Sequence, residues 1–330
     1  MEHFADIPII DTHVHPTRPC TLRETLKNLQ DKMTVLGYER IVLQSCCETA
    51  QKGFDPYNGA EALWLKLHMP HCYACGTPVH FHNEYDTAEG YEEQIRMMWD
   101  MGFDGVKMME GKPNRRKRLA RRLDDPIFDG FYGFSEAEGV PLTLHLADPD
   151  FFWDRDRVSD SIIRHGWYWG DGTYVSYEQL YDELWGILKK FPRLPLTLAH
   201  FGFMSEKKDW AERFLGDYEN TCFDITPGTE MFAGFSKDPD YWRDFFIRYR
   251  RRIYYGTDTY NDPCTPENPG SGADKYTLIR TYLESDADFQ WRTTLGPVTL
   301  HPLALPEDVL RDIYRENALR RFGAEPRQVV

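Results

Sequence analysis

A closed α/β barrel, (β/α)8 of the TIM type, is the fold that the sequence predicts, and three observations predict it. Short apolar runs alternate with amphipathic stretches along all 330 residues. There are eight such runs, and eight strands in βα alternation favour a closed parallel barrel over an open doubly wound sheet. The spacing agrees, because 243 residues separate His15, at the end of the first run, from Asp258, just after the last. That is about 35 residues for each βα step.

The strands read in order as 7–15 (IPIIDTHVH), 40–46 (RIVLQSC), 72–80 (CYACGTPVH) and 105–109 (GVKMM). Four more follow at 141–146 (PLTLHL), 195–200 (PLTLAH), 221–225 (TCFDI) and 252–257 (RIYYGT). Each is a short apolar run, the mark of a buried parallel strand. Between them, 177–191 (YEQLYDELWGILKKF) places apolar residues at helical spacing. The Pro/Gly-rich stretch 261–272 directly follows the last strand and reads as a rim loop. Residues 306–322 read as a closing helix, with Pro306 and the acidic Glu307 and Asp308 at its start. No Gly/Ser- or Pro-rich linker divides the chain, so 1–330 reads as one barrel domain ending in that helical segment.

Composition narrows the function. A net charge of −14 repels a phosphate backbone over most of the surface, which argues against a nucleic-acid partner. No apolar run approaches the length that spans a bilayer. The acidic N-terminus lacks the basic and apolar regions of a signal peptide. Seven scattered cysteines suit free thiols in a reducing compartment. The expected location is the cytoplasm.

The strongest chemical signal is Asp11-Thr12-His13-Val14-His15. Residues two apart on a strand point to one side, so both imidazoles can face the barrel interior. Two neutral imidazoles on a rigid strand make a half-site for zinc or a similar transition metal. His80 and His82 repeat the spacing, but they run into a polar turn and lack an apolar strand leading up to both. What singles out the first pair is where other ligand-type residues fall. His145 lies near the end of the fifth strand, His200 ends the sixth, and Asp258 follows the eighth. Side chains from distant positions converge at the C-terminal ends of barrel strands.

With His13, His15, His145, His200 and Asp258 in that order, the chain resembles the amidohydrolase superfamily, whose barrels are of the metallo-dependent hydrolase type. Within it, the chain resembles the amidohydrolase-related branch, which holds both hydrolases and metal-dependent decarboxylases. The C-terminal ENALRRFG (316–323) is similar to that branch's closing helix. The resemblance implies one divalent ion, zinc with manganese or iron as substitutes, on His13, His15, His145 and Asp258. It implies a water activated by that metal, with Asp258 as proton acceptor and shuttle and His200 orienting the water or stabilising charge. Lys107, on the fourth strand, stands where some members carry a carboxylated lysine that bridges two metals, in which case His200 would ligate the second. The alternative is a lysine that anchors a substrate carboxylate or pairs with an acid such as Glu110.

Three other features invite a function. Seven basic residues fall within 112–122 (Lys112, Arg115, Arg116, Lys117, Arg118, Arg121, Arg122). In an acidic chain without interleaved aromatics they read as the solvated face of a helix, with Leu119 and Leu123 turned inward; its start could draw in an anionic substrate. Cys72 and Cys75 have CxxC spacing but no second pair, and in a strand their sulfurs point to opposite faces, so both read as buried thiols, as do Cys46 and Cys47. Phe152, Trp153, Trp167 and Trp169 either line a substrate pocket or pack against each other or a second subunit of a homo-oligomer. The expected function is a metal-dependent hydrolase of an ester, lactone or amide of a small organic acid. The alternative is a non-oxidative decarboxylase of an aromatic or muconate-type acid. His13 slightly favours the first, because many of the branch's decarboxylases carry Glu there.

Overall fold

The computed structural model describes residues 6–16, 20–46, 59–80, 86–228, 230–268, 270–293 and 296–330. The strands are β1 (Ile9–His15), β2 (Tyr38–Gln44), β3 (Cys72–Gly76), β4 (Gly105–Gly111) and β5 (Leu142–Leu146). They continue with β6 (Leu196–Leu198), β7 (Cys222–Asp224), β8 (Ile253–Tyr254) and β9 (Thr259–Tyr260). All lie parallel in the order β8-β7-β6-β5-β4-β3-β2-β1-β9, with helices in the connections.

The last two are halves of one interrupted eighth strand. Tyr254 on β8 pairs with Asp224 on β7, whereas β9 pairs with Val14 and His15 on β1. Between the halves the Tyr255 carbonyl accepts the Thr12 amide at 3.1 Å. The sheet therefore closes into a (β/α)8 barrel, which leaves no unpaired edge. The interruption falls at 255–258, where Asp258 takes a left-handed backbone with φ 53°.

Each expected strand is present, but several stop early. The third ends at Gly76 rather than residue 80 and the sixth at Leu198 rather than His200. The burial pattern follows from closure: strand residues facing outward pack against the helices, and those facing inward fill the barrel. Cys72 and Ala74 belong to the outer core and Tyr73 and Cys75 to a separate inner cluster with Ile10 and Val42. Both thiols are free and fully buried, and burial pushes them well up, as the alternation in the strand requires. Cys47 lies outside the described residues.

Ala318 and Phe322 of the closing helix join the inner cluster. Asn317 donates to the carbonyls of Arg250 and Ile253 at the start of the eighth strand, so this helix seals the barrel from the N-terminal ends. The segment read as one helix comprises Glu307–Arg311, a π turn at Asp312–Glu316 and Asn317–Phe322. A two-stranded antiparallel hairpin, β10 (Phe289–Thr293) with β11 (Gly296–Leu300), stands outside the barrel. No helix among the described residues is long and apolar enough to cross a membrane.

Candidate metal centre

The C-terminal ends of β1, β5, β6 and the interrupted eighth strand converge on one point. One nitrogen from His13, one from His15 and a carboxylate oxygen of Asp258 all lie within 4.8 Å of one another. His15 Nε2 is 3.1 Å from Asp258 Oδ1 and 3.1 Å from His13 Nε2. The opposite ring nitrogens are held from behind. His13 Nδ1 meets Asp224 Oδ2 at 2.8 Å, and His15 Nδ1 meets the Gln44 carbonyl at 2.7 Å. An acceptor on Nδ1 puts the proton there and leaves the Nε2 lone pair facing inward. Two such lone pairs at 3.1 Å repel unless a proton or a cation lies between them, so the donor set fits a divalent ion.

Electrostatics agree. Burial and the neighbouring Lys107 lower His13 to about 4, which keeps the imidazole neutral and ready to ligate. Burial acts against a proton on His15, but the Cys46 sulfur and Asp258 outweigh it and raise that group to about 10. A divalent ion seated among the same atoms takes the place of that proton. Burial alone would raise Asp258; Lys275 and His15 hold it well below the usual carboxylate range.

His145 and His200 stand beside this trio. Their ring centroids are 4.8 Å apart, and His200 lies 5.6 Å from His13. Burial and Lys112 lower His145 to about 4, and its Nε2 is 3.4 Å from Asp148 Oδ1. His200 does not end a strand. It opens a turn in which His200, Phe201, Gly202 and Phe203 all have φ between 51° and 55°. Such backbone costs on the order of 1–3 kcal/mol at each non-glycine residue and persists only where the surroundings fix it. They do so here: the His200 amide donates to Asp224 Oδ1 at 2.8 Å, and the Tyr181 and Tyr177 hydroxyls donate to the Gly202 and Phe203 carbonyls. Gly256 permits a close approach in the site, because a Cβ there would meet Thr226 Oγ1 at 2.8 Å and His13 Cβ at 3.1 Å.

Lys107 is fully buried, with Nζ 3.1 Å from His13 Nε2. It does not pair with Glu110. Three residues along a strand reverse the face, so Glu110 points the other way and meets His80 Nε2 at 2.5 Å. That pairing also takes His80 out of the centre; His82 lies outside the described residues.

A cavity of about 450 Å³ opens above the centre. It is lined by His15, Cys46, His145, His200, Asp258 and Tyr260, and by Lys112, Arg115, Arg118 and Trp167. Of the four loop aromatics read as pocket or packing, only Trp167 lines it. Phe152 and Trp169 are buried in a satellite cluster with Phe151, Val158 and Ile162, and Trp153 packs on Tyr177. Trp169 Nε1 donates to Asp148 Oδ2 at 3.1 Å, which ties this loop to the carboxylate beside His145.

A family model described as amidohydrolase matches residues 10–324. The chain belongs to the amidohydrolase family. No curated protein matches this amidohydrolase in sequence. Among solved structures it is similar to 2,6-dihydroxybenzoate decarboxylase bound to 2,6-dihydroxybenzoate, at 17% identity and TM-score 0.56, covering 96% of this chain and 99% of that one. It is also similar to a dihydroxybenzoic acid decarboxylase from Polaromonas sp. JS666 with manganese and 2-nitroresorcinol, at 13% identity and TM-score 0.54, covering 96% of each chain. A variant engineered for organophosphate hydrolysis from a promiscuous lactonase shares 11% identity and TM-score 0.51, covering 97% of this amidohydrolase and 96% of that chain. Identities this low establish the barrel.

Two residues at the centre escaped the sequence reading. Asp224 had a visible signal, a carboxylate at the end of an otherwise apolar strand. Lys275 had none, since it lies in a helix after the rim loop and reaches back to the Asp258 carbonyl at 2.7 Å. Asp224 braces both His13 and the His200 turn, so Asp224→Asn is expected to weaken divalent-metal binding by about 10–100-fold. Competition with a chromophoric chelator measures it; an unchanged affinity would remove Asp224 from the support of the centre.

Glu230 follows β7 with Oε2 unpartnered among the described residues. Burial lifts its carboxyl to about 8, with the charges of Asp148 and Asp150 adding to the effect. The folded state then holds a proton that the unfolded chain releases near 4.3, so the stability present below that value is lost as pH rises towards 8. Glu230→Gln is expected to melt higher than the parent at pH 8 and level with it at pH 4.5. Parallel melting curves at the two pH values check the sign.

Proposed function

We propose that this amidohydrolase is a metal-dependent hydrolase that cleaves an ester, lactone or amide of a small organic acid. His13, His15, His145 and Asp258 are the proposed ligands of one divalent ion, zinc first and manganese or iron as substitutes. The observation that carries the reading is the pair of Nε2 lone pairs facing each other beside a carboxylate, with each ring fixed from behind. A bound divalent ion supplies Lewis acidity, which acidifies water and polarises a carbonyl.

The chain's own residues divide the rest of the work. Asp258 turns Oδ1 towards His15, while Oδ2 lies 3.5 Å from Lys275 Nζ. Oδ2 is the proposed acceptor for the proton of the attacking water and its donor to the leaving group. Neutral His200, held in its turn by Asp224, orients that water. Lys107 Nζ, against His13, positions the first ligand. A metal count of two would instead assign a carboxylated Lys107 and His200 to a second ion.

A decarboxylase of an aromatic or muconate-type acid is the second reading, favoured by the three cationic side chains in the cavity wall. Isotope-labelled water separates the two. Label in a carboxylate product supports hydrolysis; carbon dioxide release without incorporated label would overturn it in favour of the lyase.

A further inference from the structure

The basic run at 112–122 divides by partner. Arg116 is committed to Glu183, Lys117 to Thr173, Arg121 to Asp86 and Arg122 to Asp124. Lys112, Arg115 and Arg118 are spaced by three residues on and beside the helix Pro113–Leu119, and all three line the cavity over the metal centre. Spacing of three keeps side chains on one helical face. The Arg115 guanidinium takes no hydrogen-bond or ion-pair partner among the described residues, and it is half-buried. Lys112 Nζ lies 3.3 Å from Asp148 and 5.9 Å from the ring centroid of Trp167. Asp258 is the only carboxylate among the described residues of the cavity wall, and it belongs to the proposed ligand set. In a chain of net charge −14, three cationic side chains lining one cavity are a local concentration of positive charge, with Asp148 beside Lys112.

We infer that the substrate carries a carboxylate at the end remote from the reacting group, and that Arg115 receives it, with Arg118 and Lys112 supplying field. This rests on the metal-dependent reading for the near end and adds the chemistry of the far end. A guanidinium offers two parallel N–H donors that match both oxygens of a carboxylate, whereas an ammonium offers a point charge. A cavity of about 450 Å³ accommodates a small acid spanning both ends. Trp167, across the same wall, gives the body of such an acid an apolar face.

The test compares matched probes, benzoate against isophthalate and butyrate against glutarate, titrated calorimetrically into the zinc-loaded protein. In at least one pair the dicarboxylate is expected to bind more tightly by about tenfold or more. Arg115→Met is expected to erase that advantage while leaving the monocarboxylate unchanged, and Arg115→Lys to restore only part of it. Arg122→Met removes the same charge from the outer face and should leave the advantage intact. Equal affinity within both pairs, no binding by any of the four, an advantage that survives Arg115→Met, or one lost equally in Arg122→Met would each overturn the inference. The metal reading fails separately: chelation or His13→Ala should remove monocarboxylate binding, and if it does not, that reading falls while the difference within each pair still reports on Arg115.

Discussion

Asp258→Asn is expected to lower turnover by about 10²–10⁴-fold, the largest functional effect of any single change at this centre. Asparagine keeps the size of the side chain and tolerates the left-handed backbone at φ 53°, so the fold has no reason to yield. What is lost is a negative charge that Lys275 and His15 hold ionised. Two proposed functions suffer together: the ligand oxygen against His15 becomes a neutral carbonyl, and the oxygen that would carry the proton becomes an amide nitrogen. The two can be told apart. If Asp258 only ligates, excess zinc should restore turnover in the asparagine variant; if it also moves the proton, turnover stays low at full zinc occupancy. His13→Ala should instead abolish metal loading itself, measured as metal per chain after desalting. Stoichiometric zinc in His13→Ala would overturn the ligand assignment.

Arg116→Ala is expected to cost about 3–5 kcal/mol of folding stability, because it strands a buried charge. Glu183 is fully buried and accepts from Arg116 Nε and Nη2 at 2.9 Å each, from the Leu123 amide at 2.8 Å and from Gln179 at 3.3 Å. The bidentate pair ties the helix Tyr177–Lys190 to the segment that carries Lys112 and Arg115, so it also positions the cationic cavity wall. Removing both charges, as Arg116→Met with Glu183→Leu, is expected to recover much of the loss, since two well-packed apolar groups leave nothing unpaired. Denaturant unfolding of the parent, the single variant and the double variant measures this directly. A single variant within about 1 kcal/mol of the parent would show that water reaches Glu183 and that the pair is a surface contact in effect.

How far the sequence reached depends on what each feature requires. All eight strand positions were visible because a strand buried on both faces must be a short apolar run, and that is a local property. Strand ends were less visible. His200 looked like the last residue of the sixth strand, yet it begins a left-handed turn. The hydrogen bonds that force this conformation come from Asp224 and Tyr181, 24 and 19 residues away in the chain. The paired roles of Lys107 and Glu110 were separable in principle by strand alternation, and the structure assigns them to opposite faces. The basic run was read as a solvated helix face, which suits its outward half. Its inward half could be recognised only once the cavity was formed.

The sequence by itself determined the barrel and the order of its ligand-type residues, since period, run length and residue type are properties of neighbours along the chain. Tertiary structure decided how those residues work. It brought His13, His15 and Asp258 within 4.8 Å of one another and left His145 one ring away, beside His200. It placed Asp224 behind His13, set Lys275 on Asp258 and divided seven basic residues between three that line the cavity and four that pair elsewhere, Arg116 with the buried Glu183 among them. Those outcomes depend on distances between elements, and such distances arise only when the sheet closes.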